Sequence, residues 1–251
     1  MKNKKPIIIV LGEPNSVFIE ILSKVLNKSL IKKKIKFPII VIGSKKLLIS
    51  QLKLLKKKLA FEVINKKINS FNNLKNKIYL IDINYNFKKP FEKISIKSKT
   101  YISKCFDIAL KFLNSKACNI MINGPISKKH FLDKNYPGVT EYIFHRSKKK
   151  NLEYPVMLIY NKKLSVSPIT THISLKDVHK KIKEKIIMNK IIAINNFYKK
   201  KLRFKPKIAV TGLNPHCESN SKFNEELKII KPAIKKLKNK KINVSGPHSA
   251  D

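Results

Sequence analysis

The chain has 251 residues, 43% of them hydrophobic, and carries 56 basic against 15 acidic side chains, a formal charge of +41. That apolar share excludes a disordered chain and suffices for a sizeable core, in one large domain or two smaller ones. No apolar run approaches the roughly 20 residues that span a bilayer, and Met1–Lys5 leads into too short an apolar run for a signal peptide, so a cytoplasmic protein with no membrane partner is expected.

Charge alone points to nucleic acid, but its make-up points away. Arg146 and Arg203 are the only arginines, and lysine is the poorer residue for bidentate recognition of bases or phosphates. The lysines are spread along the chain among Asn and Ile, as on solvated faces. Nucleic acid is therefore disfavoured, and a positive field that attracts a phosphorylated small molecule remains. Cys105, Cys118 and Cys217 stand in no paired spacing and imply neither a disulfide framework nor a zinc ribbon.

In chain order, Ile7–Leu11 is a continuous apolar run, the mark of a strand buried on both faces, ended by Gly12-Glu13-Pro14. Helical periodicity follows from Ser16 to about Leu26. A second buried strand, Ile39–Ile42, closes on Gly43 and Ser44, with Ser44 placed to cap a helix over Lys45–Leu59. Phe61–Ile64 and Ile78–Ile83 read as strands, separated by the Lys- and Asn-rich connection Asn65–Asn76. Ser98–Leu113 is an amphipathic helix with Ile102, Phe106, Ala109, Leu110 and Leu113 on one face.

Asn119–Ile122 is a strand stopped by Asn123-Gly124-Pro125, with a short helix from Ser127. Val156–Tyr160 and Leu164–Pro168 read as adjacent strands joined by the polar turn Asn161-Lys162-Lys163. Ser174 or Asp177 is placed to cap a long helix reaching about Lys199. A short buried strand, Ile208–Thr211, a helix over Asn224–Leu237 interrupted at Pro232, and a strand near Ile242–Val244 complete the series. Strands alternating with helices predict an α/β fold with a mostly parallel sheet, in two lobes whose boundary is poorly marked. The chain stops at Ser245-Gly246-Pro247-His248-Ser249-Ala250-Asp251, a Gly-Pro exit with nothing behind it. It therefore reads as one incomplete two-lobed catalytic unit, residues 1–251, with a C-terminal segment missing.

Two histidines follow abrupt strand exits. Gly212 and Pro215 turn the backbone after Ile208–Thr211 and deliver His216 at the strand's carboxyl end, where open α/β sheets place ligands. His172 follows a similar turn-out in Ser167-Pro168-Ile169-Thr170-Thr171-His172. A lone histidine in such a turn is ordinarily a surface or capping residue. Two at strand-end loops of one sheet can share a metal ion, although catalytic zinc usually has three protein ligands. Asn123-Gly124-Pro125-Ile126-Ser127-Lys128 is either a plain strand-to-helix turn or an anion cradle with Lys128 at a helix start. Tyr136-Pro137-Gly138-Val139-Thr140-Glu141 presents a hydroxyl and a carboxylate. His130, His145, His179 and His248 lack a partner pattern and read as surface residues. No dinucleotide fingerprint, P-loop or nucleophile elbow occurs.

Together and in this order these segments resemble the 4-hydroxythreonine-4-phosphate dehydrogenase family of pyridoxal phosphate biosynthesis. Thr171–Val178 is similar to its T-H-x-P-L-K-D-V, Ile208–His216 to its I-A-V-T-G-L-N-P-H, and Gly138–Glu141 to its G-H-T-E. Glu225-Glu226 through Leu237 match the downstream helix. Gly246-Pro247 with Ala250-Asp251 resembles its G-P-x-x-A-D, and Gly12-Glu13-Pro14 with Glu20-Ile21 its N-terminal G-D-P…P-E-I. The resemblance implies a two-lobed α/β/α fold like the isocitrate and isopropylmalate dehydrogenases, and a homodimer with shared active sites. It implies NAD or NADP and a divalent metal, zinc first, with magnesium, manganese or cobalt open. His172 and His216 would be metal ligands, and Thr140 would contact the phosphorylated substrate, as would Lys128 in its cradle. Catalytic and nucleotide-binding residues stay unassigned.

Three departures stand out. Val139 replaces the family's histidine before the threonine, Asn15-Ser16-Val17-Phe18 replaces small residues, and the third metal histidine has no counterpart in this chain. The chain by itself is accordingly expected to be inactive. A paralogue acting on another phosphorylated or acidic hydroxy acid, and a basic nucleic-acid-binding protein on an inactive scaffold, are the competing readings.

Overall fold

The computed structural model describes residues 5–27, 37–65, 71, 74–132, 136–147, 155–217 and 224–250, and the chain divides into two compact units, Met1–Lys149 and Lys150–Asp251. Most of the predicted connection Asn65–Asn76, and Asp251, lie outside the described residues.

In the first unit, short β-branched runs form β1 (Ile7–Val10), β2 (Ile39–Gly43), β3 (Glu62–Ile64), β4 (Ile78–Asp82) and β5 (Ile120–Asn123). All pair in parallel, in the order β3-β4-β2-β1-β5. Successive side chains along a strand point to opposite faces. Ile8, Val10, Ile40, Ile42, Tyr79 and Ile81 therefore fill one core, and Ile9, Leu11, Ile39, Val41 and Leu80 the other. Helices α1 (Phe18–Asn27) and α2 (Lys45–Leu54) cover the second face; α3 (Lys99–Asn114) covers the first. This is the expected three-layer α/β/α sandwich. Each fully buried Ile or Leu contributes about 1.5–3 kcal/mol of transfer free energy.

Ser44 caps α2 as predicted, its hydroxyl accepting the Leu47 N–H at 3.3 Å, and its own N–H donates to the Tyr101 hydroxyl of α3 at 3.0 Å. The helix ends at Leu54 rather than Leu59. Lys56 turns into the left-handed region (φ 51°) and the Lys57 N–H donates to Leu52 O at 2.9 Å, closing the last turn.

In the second unit, β6 (Ile208–Thr211) and β7 (Val244–His248) pair in parallel. Short helix α5 (Val178–Lys181), α6 (Glu184–Phe197) and α7 (Lys231–Asn239) stand around a core built from Ile182, Ile187, Ile191, Ile230, Ala233, Ile234, Leu237, Ile242 and Val244. Four sequence expectations change here. The β6 strand is one-sided, with Ile208 and Val210 half-buried and Ala209 and Thr211 exposed. The two strands expected around Asn161 reduce to one antiparallel bridge, Ile159–Val166, because Ile159, Leu164 and Val166 are exposed and lack the buried face that a longer ladder needs. The long helix breaks where Ile182 extends (ψ 110°) to bury its side chain in the core. Finally, β7 runs on through Ser245–His248, because Gly246 sits flush against β6: a Cβ there would stand 2.3 Å from Val210 O. Pro232 falls at the start of α7, and the backbone stays helical from the wide turn Glu226–Ile230 into Lys231–Asn239, so the interruption expected at Pro232 is a change of helix type and not a break. No helix among the described residues is long and apolar enough to cross a membrane.

Candidate functional site

In the first unit β1 has β2 on one side and β5 on the other, so the chain departs in opposite directions at its carboxyl end. Open α/β sheets bind ligands at such a switch point. The two loops there are zipped together: the Glu13 N–H donates to Pro125 O and the Gly124 N–H to Val10 O, both at 2.8 Å. An added Cβ at Gly12 would lie 2.5 Å from Pro125 O, and one at Gly124 2.2 Å from Leu11 O, so neither position admits a side chain. Buried Glu13 fixes the first loop, its carboxylate accepting the Ser98 hydroxyl (2.9 Å) and the Asn15 N–H (3.3 Å).

Lys128 opens a five-residue helical turn, Lys128–Leu132, that leaves the β5 loop. The Ser127 hydroxyl already accepts the His130 N–H (3.2 Å), so what the turn offers an anion is the exposed Lys128 ammonium. Thr140 is half-buried in the first turn of α4 (Val139–Arg146). An aromatic cluster binds the two elements: Phe131, three residues after Lys128, meets Tyr142, two after Thr140, with ring centres 4.9 Å apart, and both rest on Phe106. Burial pushes the Tyr142 hydroxyl above its usual pKa. Val139 packs against this apolar core, which accounts for a hydrocarbon where the resemblance leads one to expect a histidine.

The two candidate metal ligands belong to the second unit. Both loops leave the same apolar core, since Ile169, three residues before His172, and Val210 of β6 pack against it. His172 is exposed and adopts a left-handed backbone (φ 57°), a conformation in which histidine is several-fold enriched among non-glycine residues. The segment before it is held from α6, where buried Lys190 donates its ammonium to Pro168 O (3.2 Å) and Ile169 O (2.8 Å).

His216 is also exposed, on a loop braced from several directions. The Asn214 side chain accepts the His216 N–H at 3.0 Å, and the Cys217 N–H donates to Asn214 O at 3.0 Å. Past the end of β7, the Ser249 hydroxyl (2.9 Å) and the Ala250 N–H (2.8 Å) both donate to Pro215 O. Gly212 lets the loop close, because a Cβ there would stand 2.6 Å from the Cys217 sulfur. Glu226, 2% exposed, accepts the Leu213 N–H (2.8 Å) and the Asn214 N–H (2.9 Å) on one carboxylate oxygen.

Neither Lys190 nor Glu226 is singled out by motif reading, yet one signal marks both. Lys190 lies on the helical stripe of Ile187, Ile191 and Asn195, and Glu226 on that of Ile230, Ala233, Ile234 and Leu237. A charge on an apolar stripe has to find a buried partner. Of the remaining histidines, His248 has its ring nitrogen 2.8 Å from the Ser245 hydroxyl, and His145 lies beside the Tyr136 ring.

Imidazole suits zinc and neighbouring divalent ions, and both rings sit at fixed, solvent-facing loops, so the donor chemistry fits such an ion. Among the described residues no group of three His, Cys, Asp or Glu side chains gathers.

Comparison with known proteins agrees with this architecture. The family model described as "Pyridoxal phosphate biosynthetic protein PdxA" matches residues 34–251. A 4-hydroxythreonine-4-phosphate dehydrogenase of Sulfurihydrogenibium sp. (strain YO3AOP1) is 38% identical over 251 residues, covering 97% of this chain and 74% of its own length. A D-threonate 4-phosphate dehydrogenase of Pectobacterium atrosepticum is 30% identical over 151 residues, covering 59% of this chain and 45% of its own. The crystal structure of 4-hydroxythreonine-4-phosphate dehydrogenase from Klebsiella pneumoniae superposes with a TM-score of 0.80 at 27% identity, over 98% of this chain and 75% of that one. The chain thus belongs to the PdxA family of pyridoxal phosphate biosynthetic proteins, oxidoreductases with a parallel-sheet α/β fold.

Proposed function

We propose that this chain serves the metal-dependent, NAD(P)-linked oxidation and decarboxylation of 4-hydroxythreonine 4-phosphate to 3-amino-2-oxopropyl phosphate, as part of a two-lobed catalytic unit that works as a homodimer; by itself, with no counterpart of the third metal histidine, it is expected to be inactive. The strongest support is the braced His216 loop, held at its backbone by Glu226, Asn214, Ser249 and Ala250 in a chain of this family. His172 and His216 would hold the divalent ion, zinc in preference, through neutral ring nitrogens. When bound there, the ion would supply Lewis-acid polarisation of the substrate hydroxyl and a nicotinamide would supply the hydride acceptor.

Two side chains of the first unit would be substrate contacts. Lys128 offers an exposed point charge to the phosphate. Thr140 offers a hydroxyl that donates or accepts toward a neighbouring polar group of the substrate. The aromatic cluster of Phe106, Phe131 and Tyr142 joins the two elements that carry them.

His172→Ala and His216→Ala are each expected to abolish zinc binding in the folded protein, measured by elemental analysis after dialysis. Unchanged zinc in either variant sinks the assignment. A second reading is favoured by Val139, packed in the core, together with the D-threonate 4-phosphate dehydrogenase relative. The two substrates share the phosphate and differ in carrying an amine or a hydroxyl beside the carboxylate. NADH formation measured with each compound decides between them.

A further inference from the structure

Glu226 has no role in the chemistry above, yet it is a buried carboxylate that holds a loop. Oε1 accepts two adjacent backbone N–H groups, those of Leu213 and Asn214, at 2.8 and 2.9 Å. These residues lie immediately before Pro215 and His216. The loop approaches the carboxylate so closely that a Cβ on Gly212 would stand 3.1 Å from the same oxygen.

Burying a carboxylate is costly unless hydrogen bonds satisfy it, and bonds to a charged acceptor are the strong ones. Asn214 then passes the constraint on, since its own N–H is held by Glu226 while its side chain accepts the His216 N–H. The chain of contacts thus runs from the helical core stripe, through one carboxylate, to the backbone of a candidate ligand. We propose that Glu226 is a positioning residue: it sets the direction in which the His216 ring leaves the loop, and with it the affinity of that ring for a divalent cation. The proposal rests on the metal reading of His216 and adds to it a residue outside the ligand pair.

The test uses the full chain as wild type, Glu226→Ala and Glu226→Gln. Zinc affinity is measured by competition with a chromophoric chelator, and amide exchange is followed across the 212–217 segment. The glutamine amide oxygen can accept the same two N–H groups. Glu226→Gln is therefore expected to keep zinc affinity within about threefold of wild type, while Glu226→Ala loses about tenfold or more, the usual scale for outer partners of metal ligands. Cobalt-loaded Glu226→Ala is expected to show a shifted visible spectrum, and Glu226→Gln the wild-type one.

Wild-type affinity and spectrum in a folded Glu226→Ala overturn the proposal. So does an equal loss in both variants, since the amide then fails to rescue. If Glu226→Ala does not fold, Glu226→Gln decides: a tenfold loss there overturns the proposal and retention supports it. If wild type binds no zinc, the metal reading fails and amide exchange judges the anchor. Leu213 and Asn214 protected in wild type and Glu226→Gln but open in Glu226→Ala uphold it, and equal exchange in all three overturns it.

Discussion

The two units hold their loops by different means. In the first, five parallel strands are sandwiched between helices, and Ile8, Val10, Ile40, Ile42, Leu80 and Ile81 are fully enclosed. Its loops at the switch point are zipped to one another by backbone bonds, with Glu13 as a local brace. Among the described residues the second unit has two strands and one core cluster, and it leaves Leu164 74% and Leu175 87% exposed. Its candidate ligand loops are reached from helices by single buried charges, Lys190 toward the His172 arm and Glu226 toward the His216 loop. Loop geometry that follows from a sheet is expected to tolerate the loss of one contact, whereas in the second unit the loss of one buried charge removes two backbone anchors at once.

The contrast can be broken first from the apolar side. Phe106 is fully buried in α3 and supports both Phe131 and Tyr142. Phe106→Ala is expected to cost about 3–5 kcal/mol, the range for large aromatic deletions that leave a cavity, read from urea unfolding. A cost below about 1 kcal/mol would mean that the first unit does not stand on its core. The polar side predicts a smaller loss with a different signature. Lys190→Met keeps the apolar stem and removes the donor to two carbonyls, for about 1–3 kcal/mol. It should also raise amide exchange around His172 while leaving the first unit protected. Uniform loosening of both units would erase the distinction.

The same contrast governs what could be read from sequence. The five strands of the first unit and the Ser44 cap were legible: β1, β2 and β5 are apolar runs closed by Gly12, Gly43 or Gly124-Pro125, which have few other solutions, and β3 and β4 are short β-branched or aromatic runs set between polar connections. The family was legible from the Ile208–His216 segment and the segments flanking it. Less legible was the second unit, where long-range packing decides. Nothing local in Val178–Lys199 announces that Ile182 will break the helix to reach the core. Ile208–Thr211 reads as a buried strand because its composition cannot say that Ala209 and Thr211 face solvent. Lys190 was hidden among the chain's many lysines and Glu226 within a family-like segment that assigns it no role, and their phase on the helical stripe sets them apart.

The mildest perturbation is chemical labelling of the cysteines, which are distributed as the contrast requires. Cys105 and Cys118, in the first unit, are buried, and burial pushes their thiols up to about 12 and about 11. A raised thiol pKa keeps the proton on, so at pH 8 the thiolate fraction is roughly one in ten thousand at Cys105 and one in a thousand at Cys118. Cys217 is only half-buried and adjoins His216. Iodoacetamide at pH 8 should therefore mark Cys217 alone, as read by peptide mass spectrometry, with zinc slowing the reaction if His216 is a ligand. Glu226→Ala should speed it, because freeing Leu213 and Asn214 loosens the turn that the Cys217 N–H closes onto Asn214 O. Labelling of Cys105 at a comparable rate would show the first unit opening as readily as the second, and the difference between the two would then lie in shape and not in stability.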